Sequence, residues 1–184
     1  MYYAPNGEMW DRFTVLAVVQ GEYRVTHDPN TALSTILGSC VSVALYDRDA
    51  GVGGMNHFLL PTSGRSGSNE LKFGAMANEL LINELLKLGA TRTHMRAKLF
   101  GGANIVANLG DIGSRNVQFA RDYMTREGIR IESIETGGHQ ARRLHFHPVT
   151  GDARVFKIPV EQGQSVVARE RPKPTASAAD VTLF

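Results

Sequence analysis

Cys40-Val41-Ser42-Val43-Ala44-Leu45-Tyr46-Asp47, a tight connection at Asp49-Ala50-Gly51, then Gly53-Gly54-Met55-Asn56-His57-Phe58-Leu59-Leu60 is the stretch on which the fold turns. Each run is rich in strand-forming residues and the link between them is short, so the two are expected to form an antiparallel pair. That pairing sets the strand led by Cys40 against the one that holds His57, and facing positions on such strands lie about 5 Å apart. A thiol and an imidazole thus come within reach of one another.

Upstream, Gly38 marks a turn, and Tyr23 to His27 and Thr31 to Leu37 read as two extended pieces around Asp28-Pro29-Asn30. Phe13 to Gln20, ended by Gly21, reads as the first strand. Downstream, Pro61 to Asn69 is turn chemistry throughout and predicts a surface loop. Glu70 to Leu88 then predicts a helix, because Phe73, Ala77, Leu80, Leu81, Leu85 and Leu88 recur at three- and four-residue steps, with Asn69 as cap and Gly89 as stop. Met95 to Phe100 reads as a strand closed by Gly101-Gly102, and an irregular stretch runs on to Gly113. A second helix is expected from about Ser114, with Val117, Ala120 and Met124 on one face and Gly128 as its stop. Ile129 to Glu135 and Arg142 to His147 read as strands flanking Gly137-Gly138, and Arg154 to Ile158 is placed to pair with the latter across Thr150-Gly151-Asp152. The expectation is about eight strands and two helices.

The chain has 184 residues, 42% hydrophobic and 21% charged, which suits one folded unit and excludes disorder throughout. That unit is expected over residues 13–161, with a flexible N-terminus at 1–12 and a polar, Pro-containing tail at 162–184 that has no pattern from which to build a core. Lys and Arg number 20 against 18 for Asp and Glu, with no basic block, so nucleic acid is not the expected partner. No apolar run is long enough to span a bilayer, and the first residues lack the pattern of a signal peptide, which predicts a cytoplasmic protein without direct membrane insertion. With Cys40 as the single cysteine, neither an internal disulfide nor a thiolate-rich metal site can form.

Leu37-Gly38-Ser39-Cys40 places the thiol where a turn meets a strand, a position suited to a nucleophile whose neighbouring amides face an oxyanion. An imidazolium at His57 would lower the thiol pKa and later protonate a leaving amine. The bland alternatives are a buried structural cysteine and a packed histidine. His145 and His147 share a strand face at a spacing that can chelate a metal, but a third ligand is not evident, so they read as surface-strand residues and no metal is expected. Gly101-Gly102 and Gly137-Gly138 lack the rest of any phosphate-binding motif, and close backbone approach explains them.

Five ordered motifs, Leu37-Gly38-Ser39-Cys40-Val41-Ser42-Val43, Gly54-Met55-Asn56-His57-Phe58-Leu59-Leu60-Pro61, Ala97-Lys98-Leu99-Phe100-Gly101-Gly102-Ala103, Ile112-Gly113-Ser114-Arg115-Asn116 and Thr136-Gly137-Gly138 through Arg142, together closely resemble the CheD family of chemoreceptor glutamine deamidases. The resemblance covers roughly residues 20–160. It implies an α/β fold of mixed, largely antiparallel sheets with two main helices, layered as an α/β/α-like sandwich related to toxin deamidases. It also implies a cysteine-dependent hydrolase that converts glutamines of methyl-accepting chemotaxis receptors to glutamate without a cofactor, with methylesterase activity attributed to some members and a CheC-type phosphatase as a further partner. Carried onto this chain, the catalytic residues are Cys40 and His57, with Gly38, Ser39, Gly101 and Gly102 as candidate oxyanion or substrate-binding positions. The family's third catalytic residue is a threonine six positions before the cysteine, where this chain has Ser34. Thr35 would point to the opposite face of a regular strand, so Ser34 is assigned the role of orienting His57, which passes to Thr35 if the strand register is shifted by one. The rival readings are a non-catalytic module that docks a CheC-type phosphatase, and a cysteine peptidase or acyltransferase.

Overall fold

The computed structural model describes residues 12–60, 67–105, 111–160, 162 and 165. All but the last residue of the terminus expected at 1–12, most of the loop at 61–69, part of the stretch before Gly113 and nearly all of the tail at 162–184 lie outside the described residues.

In chain order the elements are β1 (Thr14–Ala17), β2 (Tyr23–Thr26), β3 (Thr31–Leu37), β4 (Val41–Asp47), β5 (Val52–Asn56), α1 (Gly67–Lys87), β6 (Arg96–Gly101), α2 (Ile112–Arg126), β7 (Arg130–Thr136), β8 (Arg142–His147) and β9 (Asp152–Lys157). They form a four-stranded sheet, β1-β3-β8-β9, and a five-stranded sheet, β2-β5-β4-β6-β7. β1 with β3 and β6 with β7 run parallel, and the other pairs are antiparallel. This is the mixed, largely antiparallel α/β arrangement expected. The β4–β5 hairpin forms with Ala44 opposite Met55, and β8 pairs with β9 across the turn at Gly151. Helix α1 begins at Gly67, so Asn69 lies inside the helix rather than capping it.

The order of the layers departs from expectation. On one face of the five-stranded sheet, Val41, Val43, Leu45 and Phe58 pack with Leu81, Ile82 and Leu85 of α1 and with Phe119, Ala120 and Met124 of α2. On the other face, Cys40, Ala44, Tyr46, Met55 and Phe100 pack with Leu33 and Leu37 of β3 and Leu144 and Phe146 of β8. Both helices therefore cover one face and the second sheet covers the other, giving helices, sheet and sheet in place of α/β/α. Every residue of β4 is buried, because the strand is central in its sheet and sandwiched on both faces. The space between the sheets holds the Cys40 side chain.

Candidate active site

Cys40 ends the turn that leads into β4, and three consecutive carbonyls fix that turn. Gly38 O accepts from Ala103 N at 2.8 Å, Ser39 O from Asn116 Nδ2 at 2.8 Å and Cys40 O from Gly102 N at 2.7 Å. In a planar trans peptide the N–H points opposite to the C=O, so the Ser39 and Cys40 amides are directed away from these donors. Gly101 and Gly102 both take positive φ, and a Cβ on Gly101 would strike the Cys40 carbonyl. Their place is behind the nucleophile's backbone, with Gly102 N spent on Cys40 O, so this pair buttresses the turn by close approach instead of binding the oxyanion or the substrate as expected. Asn116 is fully buried, and its Oδ1 accepts from Leu60 N at 2.9 Å while its Nδ2 holds Ser39 O. One α2 side chain thus ties the segment after His57 to the turn before Cys40.

His57 follows the end of β5 instead of lying mid-strand. The Val41–Phe58 bridge continues the hairpin register past it. That register sets Ser42 opposite His57 and puts Cys40 one diagonal step away on the same, inter-sheet face, where diagonal neighbours lie within about 8 Å. His57 is 3% exposed. Its Nδ1 lies 2.9 Å from Thr35 Oγ1 and 3.3 Å from Val18 O. The Thr35 hydroxyl donates its one proton to Val18 O at 2.7 Å, so toward His57 its oxygen accepts. The imidazole proton is therefore on Nδ1, and the basic lone pair is on Nε2, which is buried without a hydrogen-bond partner among the described residues.

Burial pushes the His57 pKa down from 6.5 to about 4, against a smaller upward pull from its hydrogen bond to Val18. The resting imidazole is consequently neutral at pH 7. The imidazolium expected beside the thiol gives way to a neutral base poised to take a proton.

Thr35, not Ser34, stands against His57. Leu33, Thr35 and Leu37 share the inter-sheet face, whereas Ser34 is on the opposite face of β3, across from His145 of β8. The one-residue alternation sends the two hydroxyls to different layers, which overturns the placing of Ser34 beside the imidazole.

His145 and His147 are buried rather than on an exposed strand surface. His147 is engaged at both ring nitrogens, Nδ1 with Thr150 Oγ1 and Nε2 with Pro29 O, each at 2.9 Å. Gly137-Gly138 joins the β7 end to the site's rear wall: Gly137 N donates to Gly101 O at 2.9 Å, Gly138 O accepts from Asn104 N at 2.8 Å, and the buried Arg142 guanidinium donates to Glu135 O and Gly137 O. The motifs that carry the resemblance are thereby one contiguous support around the Cys40 turn.

A side chain that the sequence reading passed over also reaches the thiol. Gln20 Oε1 accepts from Cys40 Sγ at 3.4 Å. In the sequence it marks only the end of the first strand and belongs to none of the quoted motifs.

The family model described as CheD chemotactic sensory transduction matches residues 59–157. A Ruegeria sp. protein named probable chemoreceptor glutamine deamidase CheD 1 is 44% identical over 179 residues, covering 93% of this chain and 96% of that one. The chain belongs to the CheD family. A Caulobacter vibrioides CheD, named a probable chemoreceptor glutamine deamidase, is 45% identical over 178 residues and 95% of each chain. A Rhizobium meliloti CheD of the same name is 46% identical over 167 residues, 87% of this chain and 91% of its own. The family model begins just after His57, but the first two alignments leave too little of the chain uncovered to omit the Cys40–His57 hairpin.

Within this CheD chain the hydroxyl that orients the imidazole is open to a direct test. Thr35→Ala is expected to lower kcat by about tenfold to thousandfold, Thr35→Ser to retain most activity, and Ser34→Ala to stay near wild type. Steady-state ammonia release checks all three, and the reverse ranking of Thr35→Ala and Ser34→Ala would contradict the geometry.

Proposed function

We propose that this protein is a cysteine-dependent chemoreceptor glutamine deamidase, with Cys40 as nucleophile, His57 as general base and acid, and Thr35 as the residue that orients His57. The observation that carries the mechanism is the basic Nε2 of His57, which has no hydrogen-bond partner among the described residues and lies on the face that holds Cys40, its Nδ1 secured by Thr35 and Val18. The names of the relatives support the substrate.

In the first half-reaction His57 Nε2 takes the thiol proton as sulfur bonds to the glutamine carboxamide carbon, and the carbonyl π pair moves to oxygen. The Ser39 and Cys40 amides are the backbone donors for that oxyanion. As the oxyanion reforms the carbonyl, the C–N bond breaks and His57 returns its proton to nitrogen, releasing ammonia and leaving a thioester. In the second half, His57 takes a proton from water, the oxygen bonds to the thioester carbon, and collapse breaks the C–S bond. Glutamate departs and the thiol recovers its proton. A receptor methyl ester presents a carbonyl of the same shape with methanol as leaving group, so methylesterase activity belongs to this proposal.

Incubating the protein with receptor cytoplasmic fragments and mapping peptide masses tests the reading. Specific glutamines are expected to gain about 1 Da each with the backbone intact. Chain cleavage would mark a peptidase, transfer of the acyl group to an amine would mark an acyltransferase, and unaltered fragments would leave a docking module.

The proposal extends to a cytoplasmic location, because a chain with one cysteine suits a reducing compartment. A CheC-type phosphatase is the second partner proposed, and the exposed Phe73, Met76 and Leu80 at helical spacing on α1 are a face it would use. Met76→Glu is expected to weaken that binding at least about tenfold by calorimetry while leaving ammonia release intact. Equal binding by variant and wild type would remove this surface from the account.

A further inference from the structure

We propose that Gln20 is a further catalytic residue, a carboxamide that hydrogen-bonds the resting thiol through its oxygen and, turned over, donates its N–H to the negative charge that develops at the site. The inference rests on the deamidase reading for its substrate, but the contact with sulfur stands by itself.

Three observations carry it. Gln20 Oε1 accepts the Cys40 thiol hydrogen at 3.4 Å, so the amide group is already at the reacting atom. The segment that presents it is built into the His57 support. Val18 O holds the imidazole Nδ1, Gly21 N donates to His57 O at 2.7 Å, and His57 N donates to Glu22 O at 3.0 Å. Glu22 N closes on Val19 O at 3.0 Å, and Gly21 takes φ of 89°, so Gln20 sits at the corner of a reverse turn stitched to the base's own backbone. A side chain on such a turn is held in register with both Cys40 and His57.

The chemistry of the step selects a carboxamide. A neutral thiol is a donor and needs an acceptor, whereas the thiolate and the tetrahedral oxyanion are acceptors and need a donor. Gln offers both from one planar group, and its terminal torsion is soft and roughly two-fold, so a half-turn exchanges the lobes. When His57 Nε2 takes the thiol proton, sulfur becomes an acceptor and the Oε1 contact turns repulsive. The Nε2–H lobe of Gln20 then faces the sulfur and, once the C–S bond has formed, the substrate oxygen that has received the carbonyl π pair. Carboxylate, methyl or thioether groups cannot make that exchange.

The test compares Gln20→Ala, Gln20→Met and Gln20→Glu with wild type, with circular dichroism to verify folding. Gln20 is only partly buried on its turn, and the Met variant keeps its length. Two readouts are taken: the pH midpoint of Cys40 alkylation by iodoacetamide, which needs no receptor, and kcat and KM on a receptor fragment. The proposal expects the alkylation midpoint to rise by about one unit in the Ala and Met variants and further in the Glu variant, whose carboxylate opposes a thiolate. It also expects kcat to fall about tenfold to thousandfold with KM little changed, the size of one lost oxyanion donor. A raised midpoint together with a wild type inert on receptors would keep the role of Gln20 at the thiolate and remove the deamidase reading. An unshifted or lowered midpoint in Gln20→Ala would show that the side chain merely covers the thiol and overturns the proposal. So does an unchanged kcat in a protein that turns over, or a wild-type peptide carrying Glu at position 20.

Discussion

Cys40→Ala is expected to abolish ammonia release from receptor fragments, a fall of at least about 10⁴-fold in kcat/KM, while the protein melts within a few degrees of wild type. The size of the effect follows from the role: no other thiol exists in the chain to form the thioester in its place. The fold is spared because the side chain is small and its backbone carries the architecture. Cys40 O is held by Gly102 N, and Ser39 O and Gly38 O by Asn116 and Ala103, none of which uses the sulfur. Activity near wild type in the alanine variant would remove the covalent mechanism outright.

His57→Gln is expected to lower kcat by about 10²- to 10⁴-fold, since it removes the base of both half-reactions. The same variant has a second signature that a catalytic role alone would not produce. In the folded protein burial holds the imidazole pKa at about 4, against 6.5 for the ordinary group. Between those values the unfolded chain binds a proton that the folded chain refuses, so stability is fully present above pH 6.5 and falls as pH drops toward 4. The loss available from this one group is on the order of 3 kcal/mol. Denaturant unfolding at pH 7.5 and pH 4.5 is therefore expected to show a smaller acid destabilisation in His57→Gln than in wild type. Catalysis should keep its neutral base well below the usual histidine range, with the acid limb of kcat/KM displaced below pH 6. An acid limb at 6.5, with equal acid sensitivity of the two proteins, would mean that His57 is an ordinary solvated histidine.

The hairpin and both helices were legible because each is local: short strand-forming runs about a tight turn, and apolar residues at helical steps. That the two runs pair at all needed no knowledge of the rest of the chain, whereas the register that sets Ala44 opposite Met55 came with the structure. The choice between Ser34 and Thr35 was different. β3 is buried along its whole length, with Ala32 and Ile36 apolar on one face and Leu33 and Leu37 on the other, so hydrophobic alternation could not say which face meets the second sheet. Only the assembled layers put Leu33, Thr35 and Leu37 inward. The order of those layers was likewise hidden, since which face of a doubly buried strand the helices take depends on connections that span the whole chain. The neutral state of His57 depends on burial between two sheets, and the reach of Gln20 to Cys40 on a turn that docks against the His57 backbone. Asn116 lay within a quoted motif, yet its work, joining Leu60 N to Ser39 O from a helix, appears only when α2 is placed over the site.

The most direct measurement is the intact mass of the protein acid-quenched during turnover with a receptor fragment, followed by peptide mapping of any adduct. A thioester on Cys40, equal in mass to enzyme plus fragment less one ammonia, formed by wild type and absent from Cys40→Ala, is the predicted result. Ammonia released at full rate with no adduct, and at the same rate by Cys40→Ala, would contradict the account.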